Sequence, residues 1–183
     1  MNLKEIDNSW TLFLDRDGVI NEEKQNDYVL HWDEFVFMPG VKEALQIMSP
    51  LFKTIVIITN QKCIGKGLLT IEGLHSIHQK MLAEITAAGG RIDQIYFCPD
   101  LSDDSINRKP NAGMAFQAKH DFAETDFSKT IMVGNKLSDM QFGRNAGVHT
   151  TFVATTNPET VFPHPLIDVR VNSLLEFAQL IKP

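Results

Sequence analysis

Trp10-Thr11-Leu12-Phe13-Leu14-Asp15-Arg16-Asp17-Gly18-Val19-Ile20-Asn21 is the stretch from which the architecture of this chain can be inferred. It has the pattern of a short apolar strand that ends in two carboxylates, one residue apart, and a glycine turn. Because alternate side chains of a strand point to opposite faces, we expect Asp15 and Asp17 to leave the same side. Gly18 allows a sharp turn just beyond them. Neighbouring acids repel unless a cation lies between them, and Mg²⁺ prefers such oxygen ligands; the alternative is a strand that ends in a solvated acidic turn.

Length and composition are those of an ordinary globular protein. The chain has 183 residues, 43% hydrophobic and 22% charged, which suits a single domain spanning residues 1–183. Its net charge of −6, without a Lys/Arg block, argues against a nucleic-acid partner. There is no apolar signal-peptide core, and no apolar run approaches the ~20 residues of a membrane helix. We therefore expect a cytoplasmic, monomeric protein without a membrane partner.

Strand-like and helix-like segments alternate along the rest of the chain. The strand-like segments after the first are residues 53–60, 92–98, 130–134, 150–153 and, at an edge, 169–171. Helical patterns follow Pro39-Gly40, the N-cap candidate Thr70 and Asp139, and another spans residues 114–120. A capping box that begins at Ser173 starts the last helix. Residues 21–37 are predicted to form an irregular flap, and residues 61–69 a mobile loop. The alternation predicts an α/β fold, a three-layer, open, mostly parallel sheet flanked by helices, without a large cap domain.

Polar groups collect at the predicted carboxyl ends of four strands, which is where the sites of open α/β sheets lie. The four sets are Asp15 and Asp17, Thr59 and Asn60, Arg108-Lys109-Pro110, and Asn135 and Asp139. Together they offer a nucleophilic carboxylate, a second acid, a hydroxyl, cations and oxygen ligands for a metal. This inventory indicates phosphoryl transfer to an aspartate, with positioning and charge neutralisation as the main catalytic contributions.

The spacing of these motifs resembles the haloacid dehalogenase superfamily of aspartyl-phosphate phosphatases. Within it, the chain is similar to the heptose bisphosphate phosphatase and histidinol phosphatase group, over about residues 10–153. The motifs that carry the resemblance are residues 13–21, Pro39-Gly40-Val41, Thr59-Asn60-Gln61, Arg108-Lys109-Pro110 and residues 133–139. The resemblance implies the Rossmann-like fold of that superfamily, Mg²⁺ as cofactor and a small phosphate ester as substrate. D-glycero-D-manno-heptose 1,7-bisphosphate is the first expectation and histidinol phosphate the second.

The resemblance also implies catalytic and metal-binding roles. Asp15 would attack phosphorus, form an aspartyl-phosphate and bind Mg²⁺. Asp17 would protonate the leaving oxygen, then activate water, and reach the metal through its carbonyl. Lys109 would neutralise charge on the transferring group and orient Asp15. Asn135 and Asp139 would complete the metal site.

The remaining roles concern the substrate. Thr59, with a catalytic hydroxyl, and the groups near Asn60 and Gln61 would hold phosphoryl oxygens. Arg108 would face the substrate. Lys66, in the glycine-containing loop, is a candidate for a second phosphate or a sugar hydroxyl, and a solvated lysine is the alternative.

Asn135 departs from the pattern, because this position is usually Asp in the family. An amide keeps an oxygen ligand but removes a negative charge, so the affinity for Mg²⁺ should fall. Three explanations remain open at this point: a tolerated natural variation, an engineered substitution, or a weakened enzyme. In the last case the chain would be a phosphate-binding pseudo-phosphatase.

The loop after the third strand departs as well. Related phosphatases often hold a structural zinc there on four Cys and His ligands, whereas this chain has Cys98-Pro99-Asp100 and Ser105-Ile106-Asn107. One of the four ligands remains, so we predict no structural zinc. His75 and His78, three residues apart on the predicted long helix, lack a third ligand, and we expect structural or solvated roles for both.

Overall fold

The structure is a computed structural model that describes residues 1–182. Its strands are β1 (Thr11–Leu14), β2 (Thr54–Asn60), β3 (Gln94–Cys98), β4 (Thr130–Gly134), β5 (His149–Val153) and β6 (Val169–Val171). Its α-helices are α1 (Val41–Met48), α2 (Lys62–Gly65), α3 (Ile71–Ala87), α4 (Gly113–Asp121), α5 (Leu137–Ala146) and α6 (Leu174–Ile181).

All six strands form one parallel sheet in the order β3-β2-β1-β4-β5-β6. Leu14, the last residue of β1, lies opposite Ile57 of β2 and Val133 of β4. The strand order reverses between β1 and β4, and ligands of open α/β sheets bind at the carboxyl ends beside such a switch point. The segment after β1 therefore lies where a site is expected.

The side chains of the central strands point alternately to the two faces of the sheet, and each face has its own hydrophobic core. Leu12 and Leu14 of β1 belong to the core beneath α1, α3 and α6, whereas Phe13 belongs to the core beneath α4 and α5. In β2, Ile55 and Ile57 face the first core and Val56 faces the second. Because each central strand is covered on both faces, its sequence is an unbroken apolar run. The predicted three-layer α/β architecture is confirmed.

The flap, residues 21–37, connects β1 to α1 and is anchored on the protein. Val29 and Phe35 are buried in the first core, and Trp32 stacks on Phe35 with ring centroids 5.1 Å apart. The Glu22 N–H donates to the Val36 carbonyl at 2.8 Å. Residues of this flap line the cleft beyond β1. The part of the chain that the structure describes, residues 1–182, contains no separate cap domain.

Several predicted boundaries needed correction. Residues 61–69 do not form an irregular loop throughout, because they contain the short helix α2. β3 begins two residues later than predicted, and α4 extends one residue further at each end. At α6, Ser173 accepts from the Glu176 N–H as predicted, but the Glu176 carboxylate accepts from the Asn172 N–H, one residue before the cap. No helix of the described part of the chain has the length and apolar character needed to cross a membrane.

Candidate active site

Asp15 lies one residue past β1, at the centre of the sheet. Its N–H donates to the Val133 carbonyl at 2.9 Å, which continues the strand pairing, and its Oδ1 accepts from the Arg16 N–H at 2.8 Å. The Arg16 carbonyl accepts the Ile20 N–H at 2.7 Å, and Gly18 adopts a φ of +87° in the turn so formed. A side chain at Gly18 would be strained, so the turn explains the glycine.

Lys109 occupies the centre of the site, between two carboxylates. Its Nζ lies 2.8 Å from Asp15 Oδ1 and 2.7 Å from Asp139 Oδ1, and it donates to the Ile58 carbonyl at 2.8 Å. The Lys109 side chain is 2% exposed. Three oxygen acceptors therefore satisfy the three donors of a buried ammonium.

Burial and charge shift the pKa values of this cluster. Burial and the nearby Asp139 carboxylate raise the pKa of Asp15 to about 7, although Lys109 opposes the shift. Burial alone would lower the pKa of Lys109, but Asp139 and Asp15 raise it above its ordinary value. Lys109 is consequently a permanent cation in contact with a carboxylate that can change its protonation state near neutral pH.

Asp17 follows Asp15 into the same cleft but has different partners. The strand ends before both acids, so the turn, and not strand alternation, brings them together. The Arg16 guanidinium contacts both Asp17 oxygens, at 2.8 and 2.9 Å, and the side-chain amides of Asn21 and Gln61 donate at 2.9 and 3.1 Å. Burial would raise the pKa of Asp17, but the Arg16 charge and these hydrogen bonds lower it. Asp17 is held here as an anion.

Arg16 is itself buried and bound to a histidine. It is 1% exposed, and its second terminal nitrogen lies 3.2 Å from His78 Nε2 on α3. Arginine cannot accept a hydrogen bond, so Nε2 must be the acceptor and the ring proton lies on Nδ1. Burial and the Arg16 charge lower the pKa of His78 to about 3, so the ring is neutral. The structural role expected for His78 is thus a specific contact with the arginine that binds Asp17.

The residues at the end of β2 both line the site and hold neighbouring side chains in place. The Asn60 side chain donates to the Lys109 carbonyl at 3.1 Å and accepts from the Lys109 N–H at 3.0 Å. The Gln61 amide donates to Thr59 Oγ1 at 3.0 Å as well as to Asp17. The Asn60 and Gln61 side chains thus have protein partners, and both residues line the cleft together with Thr59; their substrate-binding role stays a prediction.

The loop after β4 brings Asn135 and Asp139 to the same edge of the sheet. Asp139 Oδ2 accepts from the Lys136 N–H at 3.0 Å, while its Oδ1 contacts Lys109. Gly134 allows this approach, since a Cβ there would lie 2.3 Å from Asp139 Cβ. Both Asp139 oxygens thus have protein partners.

Asn135 is fully buried and carries a free acceptor. Its Oδ1 has no hydrogen-bond partner within residues 1–182. An unpaired buried acceptor costs about 1–3 kcal/mol, which a bound cation would offset. Asp15 Oδ2 is likewise free of the Arg16 and Lys109 contacts, which are both to Oδ1. These oxygens suit Mg²⁺, although the described residues hold no group of three His, Cys, Asp or Glu side chains placed for a metal.

A cleft of about 850 Å³ opens above this cluster. Besides the residues at its floor, its charged lining consists of the cations Lys24, Lys62, Lys66, Arg108 and Lys136 and the carboxylates Glu23, Asp27 and Asp103. The Lys66 ammonium lies 5.0 Å from the centre of the Tyr28 ring of the flap. Arg108 donates to Asp103 at 2.9 Å. Lys66 and Arg108 therefore lie at the rim, as their predicted substrate roles require.

The loop in which zinc ligands were considered is held by hydrogen bonds. Ser105 Oγ donates to the Asp100 carboxylate, and Cys98 Sγ lies 3.5 Å from the same group. Asn111 donates to the Asp103 and Ser105 carbonyls at 3.0 and 2.9 Å. These contacts order the loop with protein groups, and the absence of zinc stays a prediction.

Four residues of the site were not predicted from the sequence to be part of it. Arg16 lies between the two acids of the first motif, and this position could have indicated that its charge belongs to the site. His78 lies on the apolar side of α3, which local patterns cannot distinguish from an ordinary core position. Glu23 of the flap and Lys136 form an ion pair across the cleft that no sequence spacing indicates.

Comparisons with known proteins show the family to which this chain belongs. A family model described as "HAD-hyrolase-like" matches residues 106–164. The D-glycero-alpha-D-manno-heptose-1,7-bisphosphate 7-phosphatase of Burkholderia mallei is 37% identical over 150 residues, which are 78% of each chain. The chain belongs to the haloacid dehalogenase superfamily, with the heptose bisphosphate phosphatases. The D-glycero-beta-D-manno-heptose-1,7-bisphosphate 7-phosphatase of Yersinia pestis is 34% identical, and the match covers 93% of this chain and 94% of that protein.

The chain is also similar in fold to a solved structure of a related phosphatase. The D,D-heptose 1.7-bisphosphate phosphatase from B. bronchiseptica, complexed with magnesium and phosphate, has a TM-score of 0.85 and 30% sequence identity. The match covers 93% of this chain and 96% of that one. HAD phosphatases use Mg²⁺, and these relatives are phosphoric monoester hydrolases. The predicted superfamily, enzyme class and cofactor are therefore confirmed.

Proposed function

We propose that this chain removes a phosphoryl group from a heptose 1,7-bisphosphate, using Asp15 as nucleophile and Mg²⁺ as cofactor. The observation that carries the proposal is the buried ammonium of Lys109, within 2.8 Å of both Asp15 and Asp139 at the floor of the cleft. Such a fixed cation can neutralise a phosphoryl group as it transfers to the carboxylate.

The substrate part of the proposal rests on the relatives and on the cleft. The relatives are named for heptose 1,7-bisphosphates of both the alpha and the beta form. A volume of about 850 Å³ accommodates a bisphosphorylated sugar. With one phosphate at Asp15, the cations Lys62, Lys66 and Arg108 at the rim would balance the charge of the other.

In the proposed first step, a carboxylate oxygen of Asp15 bonds to phosphorus as the ester P–O bond breaks. Lys109 neutralises the transferring group, and Thr59 lies close enough to the floor to contact its oxygens. Mg²⁺, when bound near Asp15 and Asn135, supplies further charge neutralisation and orients the phosphoryl group. Water then attacks phosphorus, which releases inorganic phosphate and restores Asp15.

Asp17 is the proposed source and acceptor of the proton. It would protonate the leaving alkoxide in the first step and take a proton from the attacking water in the second. In the structure Arg16 keeps its carboxylate ionised. An ionised carboxylate has no proton to donate, so the acid step requires Asp17 to leave Arg16, which would let its pKa rise, and to take up a proton from solvent before the ester bond breaks.

Phosphate release from a panel of esters tests the proposal. The panel contains the alpha and beta heptose 1,7-bisphosphates, the corresponding monophosphates and histidinol phosphate, each with Mg²⁺ and with EDTA. We expect metal-dependent release from one bisphosphate well above the rest, and none from Asp15→Asn at unchanged circular dichroism. Preference for histidinol phosphate would replace the substrate, whereas no release from any ester would favour a phosphate-binding pseudo-phosphatase.

A further inference from the structure

Asn135 is held by two acceptors from distant parts of the chain. Its amide nitrogen donates to Glu23 Oε2 at 3.2 Å and to Thr156 Oγ1 at 2.8 Å, while its Oδ1 has no partner within residues 1–182. The amide is also tightly packed, because a Cβ on Gly18 would lie 2.0 Å from Asn135 Nδ2. Asn135 therefore has one well-defined position in the site.

Glu23 determines which end of this amide faces the cleft. A carboxylate can only accept hydrogen bonds, so the NH₂ group of Asn135 must point to Glu23 and its oxygen must point elsewhere. The Lys136 ammonium contacts the other Glu23 oxygen, so both oxygens of the carboxylate have partners in the protein. Glu23, Asp15 and Asp139 line the same cleft.

We propose that Glu23 is a positioning residue of the divalent-cation site, acting through Asn135. It orients the amide so that Oδ1 is available as a ligand, and it brings a negative charge next to a ligand that has none. The inference deepens the proposed function and rests on it. Groups that orient a metal ligand affect the affinity for the metal strongly, typically by 10- to 100-fold.

A purely structural role for Glu23 is the alternative. Glu23 and Lys136 could only tie the flap to the loop after β4, since both side chains retain solvent exposure, 18% and 45%. In that case removal of the Glu23 charge would change the stability of the flap but not the affinity for a cation.

Cation binding by the full-length, EDTA-treated protein separates the two roles. Mg²⁺ binding is measured by calorimetry, and Mn²⁺ binding by electron paramagnetic resonance, on the wild type, Glu23→Gln and the neighbouring Glu22→Gln. We expect about a 10- to 100-fold weaker affinity for Glu23→Gln and less than about a twofold change for Glu22→Gln, whose side chain is exposed. Thermal unfolding of the metal-free variants checks that each is folded.

The same substitution in an Asn135→Asp protein distinguishes a specific effect on Asn135 from a general loss of structure. In Asn135→Asp, the ligand carries its own charge and has no NH₂ group for Glu23 to orient. We therefore expect Glu23→Gln to weaken cation binding clearly less in that background than in the wild type. An unchanged affinity in Glu23→Gln, or an equal loss in both backgrounds, overturns the inference while a cation-binding wild type leaves the proposed function intact. A wild type that binds neither cation overturns both.

Discussion

Replacement of Lys109 by methionine tests the centre of the site most directly. The variant keeps an unbranched, largely apolar side chain, one heavy atom shorter, but removes an ammonium that contacts Asp15, Asp139 and the Ile58 carbonyl within 2.8 Å. Asp15 and Asp139 would remain buried side by side without a compensating charge. Breaking a buried ion pair by removing one partner costs about 3–5 kcal/mol, so we expect a loss of this size in the free energy of unfolding at pH 8.

The same variant should be less impaired at low pH. The pKa of Asp15 is already raised to about 7, and without Lys109 it rises further. A carboxyl with a raised pKa stabilises the folded state most below its unfolded pKa and loses that contribution as the pH rises through the folded pKa. Each pH unit that separates the folded pKa values of variant and wild type is worth about 1.4 kcal/mol. Because Asp15 of the wild type is itself protonated below about pH 7, the difference in unfolding free energy between the two proteins should narrow from pH 8 to pH 5 by up to about this amount.

Urea unfolding at pH 5 and pH 8 measures both effects. Lys66→Met is the matched control, because Lys66 is an exposed lysine of the same cleft, and its loss should stay within about 0.5 kcal/mol. Phosphate release by Lys109→Met should fall by about 10²–10³-fold, as when one fixed donor to the transition state is removed. A loss of stability below 1 kcal/mol, or an equal loss at both pH values, would refute the electrostatic account of this cluster.

Three further predictions address the surroundings of Asp15. Gly134→Ala places a Cβ 2.5 Å from Asp139 Oδ2, so melting temperature and phosphate release should both fall; normal values would contradict the packing described. Nitrogen-15 NMR of the His78 ring should show a neutral Nδ1–H tautomer from pH 5 to pH 8, because Arg16 occupies Nε2 and the ring pKa is about 3; a protonated ring at pH 6 would be inconsistent with this contact. Mg²⁺ affinity, measured by calorimetry, should decrease by up to about tenfold per pH unit below pH 7, because Asp15 must lose its proton to bind the metal; a constant affinity from pH 8 to pH 6 would exclude Asp15 as the titrating ligand.

Most of the fold follows from local sequence signals. The apolar runs of β2 and β4 and the helical spacing of α1 and α3 are long enough to indicate both the type of element and its burial. Helix α2 was missed because four residues cannot establish a helical period. The start of β3 was misplaced because its first residue is exposed and its apolar pattern is weak.

The sequence by itself determined the architecture and the edge of the sheet at which the site lies. Apolar periodicity records burial, and polar motifs after parallel strands must converge at their carboxyl ends. Only the tertiary structure decided which side chain contacts which. It paired Lys109 with Asp15 and Asp139, bound Arg16 to His78 across 62 positions, and placed Glu23 against Asn135 across 112. The physical reason is that such contacts depend on side-chain direction and on packing between distant elements, which no local pattern encodes.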